Sequence, residues 1–163
     1  MHKLKLLIFA LAGVALFSCE PTYEKQYSWA YPVAGDWMVT TYVDGDAITG
    51  PWEMKSYNSS YGKDSIWIDD YEGNFWTFQT KCAVDMNSKT FQTTGSISAI
   101  EDYPITVKVL NGKIIGKDSI YMELQFEDEG YYDDNDEFVP TPFAVTYQVK
   151  GHREVSYEEY TKQ

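Results

Sequence analysis

Gly35-Asp36-Trp37-Met38-Val39-Thr40-Thr41-Tyr42-Val43 alternates with a period of two, setting Trp37, Val39, Thr41 and Val43 on one face. That pattern marks a strand with one buried side. Far downstream a second alternation, Phe143, Val145, Tyr147 and Val149, runs into Gly151-His152-Arg153, and Arg153 is the only arginine in the chain. The two segments bracket nearly the whole region that has the pattern of a folded domain.

The chain between them reads as consecutive antiparallel hairpins. Asp44-Gly45-Asp46 and Thr49-Gly50-Pro51 are turn signals, followed by a short strand over Trp52 to Tyr57 and another over Ser65 to Tyr71. Glu72-Gly73-Asn74 connects to a long strand, Phe75 to Val84, with Trp76, Phe78, Cys82 and Val84 on one side. Asp85 to Ser88 turns the chain into Thr- and Ser-rich strand material over Lys89 to Ala99, and Pro104 precedes Ile105, Val107 and Val109. Asn111-Gly112 has the composition of a type I′ hairpin turn, returning the chain into Ser119 to Phe126. There Ile120, Met122, Leu124 and Phe126 face inward. An acidic loop, Glu127 to Glu137, leads to the last strand over Phe143 to Lys150.

Gly62-Lys63-Asp64-Ser65-Ile66 recurs as Gly116-Lys117-Asp118-Ser119-Ile120, which is best read as one turn type leading into equivalent strands. About eight or nine strands at a spacing of about ten residues, with almost no helix, indicate a sandwich or a closed barrel. The Gly-x-Trp at Gly35-Asp36-Trp37 and the arginine after the last alternation resemble the lipocalin and calycin barrels. In those folds Gly-x-Trp begins the first strand and an arginine from the end of the last covers the tryptophan at the closed end. The resemblance implies an all-β, up-and-down antiparallel barrel of about eight strands, closed by Trp37 and Arg153.

The chain has 163 residues, enough for one ordinary domain, and its hydrophobic share of 44% supports a real core. Aromatic residues at 17% require an interior or a binding surface that absorbs large rings. A formal charge of −12 repels phosphates and argues against nucleic acid as a partner. Two cysteines, Cys19 and Cys82, supply no disulfide framework.

Lys3 and Lys5 precede Leu6 to Phe17, twelve residues without a charge, too short to span a bilayer but suited to a secretory h-region. It ends in Leu16-Phe17-Ser18-Cys19, which resembles the lipobox of bacterial lipoproteins. The resemblance implies cleavage before Cys19, lipid attachment to that thiol and outer-membrane anchoring on the periplasmic or the cell-surface face. Residues 1–18 are then a signal peptide, 19–32 a lipidated tether and 33–163 a single barrel domain. The mature chain keeps 145 residues and, without Lys3 and Lys5, a charge of −14.

Little in the sequence supports catalysis. His152 is the only histidine beyond the signal segment, and no Gly-x-Ser-x-Gly elbow occurs. Cys82 lies mid-strand among apolar residues, as a buried inert thiol does. One histidine and one thiol cannot build a zinc site without carboxylates doing most of the ligation. Asp133-Asp134-Asn135-Asp136-Glu137 concentrates oxygen ligands but lacks the EF-hand register, so a solvated acidic loop is favoured over Ca²⁺. Asp69 and Asp70, being adjacent in a strand, point to opposite faces and do not suit paired-carboxylate chemistry.

Lipobox, small all-β domain, Gly-Asp-Trp start and final Gly-His-Arg together resemble a family of small Gram-negative lipoproteins with calycin-like barrels, described as "lipid-binding putative hydrolases". The resemblance implies a lipid or small hydrophobic ligand in the barrel. Val39, Trp76, Phe78, Met122, Leu124, Phe126 and Tyr147 are the candidate lining, large or adaptable groups that suit an apolar pocket or, equally, a filled core. A monomer without cofactor is expected. Two alternatives stand beside it: an esterase-like hydrolase using carboxylates or His152, and a surface glycan-binding or accessory protein using exposed Trp29, Trp52 and Tyr131.

Overall fold

The computed structural model describes residues 28–60 and 62–154; the expected signal peptide, Cys19, most of the expected tether and the C-terminal residues 155–163 lie outside the described residues. Eight strands close into an antiparallel barrel: β1 (Gly35–Val43), β2 (Asp46–Asn58), β3 (Ser65–Asp69), β4 (Gln79–Asp85), β5 (Thr90–Ile97), β6 (Thr106–Ile115), β7 (Ser119–Phe126) and β10 (Tyr147–Arg153). Each pairs with its neighbour in sequence, and β10 closes the circle against β1 and β7. A two-stranded hairpin, β8 (Gly130–Tyr132) and β9 (Phe138–Pro140), is inserted before β10. The helical content of the described residues is one 3-10 turn, Tyr71–Gly73.

Alternation drives the closure. Along β7, Ile120, Met122, Leu124 and Phe126 are buried while Tyr121, Glu123 and Gln125 are half-exposed, and β1 buries Trp37, Val39 and Thr41 in the same way. Apolar side chains directed to one face of every strand can leave water together only if the sheet curls around them. Before β1, the turn at residues 29–33 docks Ala30 and Val33 in the same core. Because the strands alternate in direction, the ends of β1 and β10 that carry Gly35 and Arg153 share one rim with the β2–β3, β4–β5 and β6–β7 turns. The opposite rim, the mouth, carries the β1–β2, β3–β4 and β5–β6 connections and the β8–β9 insertion.

Four expectations are corrected. Asn111-Gly112 is not a hairpin turn but a bulge inside β6, where the register against β7 shifts between Leu110 and Lys113; the turn falls at Gly116-Lys117-Asp118. Asn111 has φ +54°, which a bulge uses as readily as a turn. A Cβ on Gly112 would collide with the carbonyl and ring of Phe91, so the glycine lets β5 approach. Thr49-Gly50-Pro51 likewise lies within β2, not between strands: Gly50 has φ +127°, and a Cβ there would stand 2.8 Å from the Thr40 Cα. Phe75 and Trp76 belong to a loop, and β4 starts only at Gln79, because the Asp70 carboxylate gathers the amides of Asn74, Phe75 and Trp76 into a turn. The last strand is Tyr147–Arg153, later than expected, since Phe143 takes φ +59° in a turn and meets Lys108 outside the barrel.

The two Gly-Lys-Asp-Ser-Ile copies lead into β3 and β7, both at the closed end.

Candidate functional site

The mouth is built from aromatic rings. Phe78, Phe126, Tyr147 and Trp52 come from the barrel wall or the residue just before a strand, and all four are buried, Trp52 at 5% exposure. Phe75 and Trp76, from the β3–β4 loop, lie on top of them. The Trp76 indole is parallel to Phe126, with centroids 4.4 Å apart and planes 4° apart. Phe75 stacks on Trp52 at 5.6 Å and meets Tyr147 edge-on at 5.2 Å. Each such pair contributes about 0.5–1.5 kcal/mol beyond its area burial.

Polar contacts hold this roof in place. Asp70 accepts the amide N–H groups of Asn74 (2.8 Å), Phe75 (2.8 Å) and Trp76 (2.6 Å). Burial pushes the Asp70 carboxyl above the ordinary aspartate value, and those three donors work against the shift. Trp76 Nε1 donates to Asp128 at 3.2 Å, and the Tyr103 hydroxyl donates to the other oxygen of the same carboxylate. Below, the Tyr147 hydroxyl donates to both oxygens of buried Glu129, at 2.9 and 2.8 Å. Burial first, then Glu129, raises the Tyr147 phenol well above its ordinary value.

Beneath the rings the barrel is packed with side chains. Val39, Met122 and Leu124 are fully buried with Met54, Ile66, Ile68, Val107, Val109 and Val149. Two inward residues of β4 interrupt this apolar column. Cys82 is fully buried, its thiol pushed up by desolvation. Thr80 is 0% exposed, and its hydroxyl lacks a hydrogen-bond partner among the described residues. An orphaned buried hydroxyl costs about 1–3 kcal/mol.

At the closed end Trp37 is buried, donating from Nε1 to Ser56 Oγ at 2.8 Å, which in turn donates to the Val33 carbonyl at 2.7 Å. Arg153 lies over the Trp37 ring, with Cζ 4.4 Å from the centroid. It also lies over Tyr31 at 5.6 Å and donates from Nη1 to the Ala34 carbonyl.

The candidate lining residues thus fall into two groups: Trp76, Phe78, Phe126 and Tyr147 in the mouth cluster, and Val39, Met122 and Leu124 in the column beneath. Trp37 and Arg153 sit together at the far rim. His152 is exposed at that rim, opposite Ser119 on β7 and Met38 on β1. Asp133 turns its carboxylate inward on its own loop, accepting the amides of Asn135 (2.8 Å) and Glu137 (3.0 Å), which hold it below the ordinary aspartate value. Among the described residues no group of three or more His, Cys, Asp or Glu side chains is placed to hold a metal. Of the exposed aromatics expected for a glycan surface, Tyr131 is exposed and Trp29 half-buried, but Trp52 points into the barrel and donates to Thr41 at 3.0 Å.

Sequence reasoning gave no site role to Glu129 or Thr80, placed Phe75 in a strand, and weighed Asp70 only as half of a carboxylate pair. Consecutive rings at Phe75-Trp76 directly after Glu72-Gly73-Asn74 were the available signal for an aromatic loop, since a strand would send the two rings to opposite faces.

The open hollows on the outer wall of the described residues include two of note. One of about 700 Å³ lies over β4 to β7 at the level of the β6 bulge, lined among others by Phe91, Asn111, Tyr121 and Glu123. The other, about 440 Å³, lies between β4 and β5.

No curated protein matches the chain. A family model described as "Lipid-binding putative hydrolase" matches residues 22–158. With that match spanning most of an eight-stranded barrel, the chain belongs to this family of lipid-binding putative hydrolases.

Proposed function

We propose that the protein binds a lipid or another small hydrophobic molecule inside the barrel, against the aromatic cluster and the column of Val39, Met122 and Leu124. The carrying observation is the parallel stack of Trp76 on Phe126, because the upper ring comes from a loop and the lower one from the wall. A ring supplied by a loop can yield its place to a guest while the strand framework stays intact. The family's description supports the same ligand class. Attachment to a membrane through an acylated Cys19 is part of the proposal. It rests on the Leu16-Phe17-Ser18-Cys19 sequence, with the outer membrane as location and a monomer as working form. Two or three acyl chains anchor firmly, since each buried methylene contributes about 0.8 kcal/mol.

Titration of the full chain with the apolar fluorophore N-phenyl-1-naphthylamine tests the binding claim. Saturable uptake competed by oleate, with an affinity altered severalfold in Trp76→Ala, is the expected result. Emission that rises without saturation, or is not displaced, contradicts it.

A hydrolase reading is favoured by one placement, Ser119 directly opposite His152 in the β7–β10 ladder. Turnover of p-nitrophenyl esters lost in both Ser119→Ala and His152→Ala, with folding intact, supports it; unchanged rates exclude it.

A further inference from the structure

The barrel wall is incompletely zipped at one place. Between β4 and β5 the ladder covers Ala83↔Gln92, Val84↔Phe91 and Asp85↔Thr90 and then stops, although both strands continue. Beyond that, the next backbone contacts between the two segments lie at the mouth side, where the Ala99 amide donates to the Gln79 carbonyl at 2.8 Å and the Gln79 amide to Ser98 Oγ at 3.1 Å. Three residues of β4, Thr80 to Cys82, therefore face six on the other side, Thr93 to Ser98, and the longer segment must arch away. Its first four residues, Thr93-Thr94-Gly95-Ser96, are small and polar, leaving the wall thin where the column behind it is apolar.

The hollow of about 440 Å³ sits on this seam, lined by Ser65, Lys81, Cys82, Thr93, Gly95 and Ser96 among others. Its outer lip is polar, and its floor is the buried Cys82. On the same inner face, two residues along, stands Thr80 with its unpartnered hydroxyl. A protein interior rarely leaves such a donor without an acceptor. At the mouth a guest has first to displace Phe75 and Trp76 against their ties to Asp70 and Asp128, whereas among the described residues no aromatic ring lines the hollow at the seam.

Resting on the ligand-binding reading above, we propose that this seam is the entrance to the barrel and the headgroup seat for a single-chain amphiphile, a fatty acid or a monoacylglycerol. The head occupies the hollow among Ser65, Lys81, Thr93 and Ser96. The carbonyl at the base of the head accepts from the Thr80 hydroxyl, and the tail passes Cys82 into the apolar column. An eight-stranded barrel is only wide enough for side chains or one small ligand, and a single acyl chain has the smaller cross-section to fit there.

Photocrosslinking of the full chain with oleic acid and with monoolein, each carrying a diazirine on the second or third acyl carbon, tests the placement. Peptide mapping is expected to find the label on residues 80–82 and 93–96; preference for one probe identifies the head. Saturable binding with the label on Phe75, Trp76, Phe126 or Tyr147 overturns the seam while leaving the ligand-binding reading standing. Absence of saturable binding by either probe overturns both. As a second measurement, Thr80→Val removes the hydroxyl at nearly constant shape. It is expected to raise the midpoint of denaturation while weakening oleate or monoolein binding about tenfold, the equivalent of one good hydrogen bond. A variant that is more stable and binds equally well contradicts the role given to Thr80.

Discussion

The guanidinium of Arg153 lies over the indole of Trp37, 4.4 Å from Cζ to the ring centroid, while its Nη1 donates to the carbonyl of Ala34. One side chain thereby joins the last strand to the first and to the segment that enters it. Arg153→Ala is expected to cost about 1–2 kcal/mol, from the cation–π contact and one hydrogen bond. Arg153→Lys should recover only part of this, because an ammonium cannot lie flat on the ring while donating sideways. Denaturant unfolding of the two variants checks the order.

Asp70 holds three consecutive amides, and through them the two rings that roof the mouth. Asp70→Ala is expected to destabilise by about 2 kcal/mol, the cost of orphaned donors near a buried site. Hydrogen exchange should localise the effect: the amides of Phe75 and Trp76 lose protection, while those of β6 and β7 follow global unfolding. Uniform loss of protection across the barrel contradicts the assignment of Asp70 to the loop.

Alkaline pH offers a test of three phenols hydrogen-bonded to carboxylates. Burial and Asp69 push Tyr57 up to about 12, hydrogen bonding to Glu123 pushes Tyr121 up to about 12, and Tyr147 is raised as well. A phenol that keeps its proton longer when folded contributes stability that is complete below the unfolded value near 10 and is lost as pH rises through the folded one. Stability should therefore fall between about pH 10 and 12, and Tyr57→Phe should flatten part of that fall. A profile level across that window contradicts the shifts.

Gly112→Ala probes the β6 bulge. Its Cβ has no room against Phe91, and overpacking of this kind costs about 1–3 kcal/mol. Equilibrium unfolding gives the value, and a neutral substitution would show that β5 and β6 separate easily at this level.

The barrel was legible in the sequence because its signal is periodic. The faces of β1 and β7 follow directly from alternation, and the Gly35-Asp36-Trp37 start resembled the right fold family. What escaped was every feature in which a residue type serves two geometries. Asn111-Gly112 satisfies a bulge as well as a turn, and only contact with Phe91 decides between them. Phe75 and Trp76 have strand propensity, yet a single aspartate upstream folds them into a loop. Trp52, expected as an exposed ring, is turned inward by the bulge at Gly50-Pro51. The aromatic mouth is consequently assembled by long-range contacts, Trp76 with Asp128 and Tyr147 with Glu129, that no local pattern announces.

Native mass spectrometry of the full chain with increasing oleic acid or monoolein, below the concentration at which either self-associates, tests most directly whether the barrel admits a guest. The account predicts one adduct of the ligand's mass that saturates at a single copy per chain. A chain that stays free throughout, or that gathers successive adducts without saturating, contradicts it.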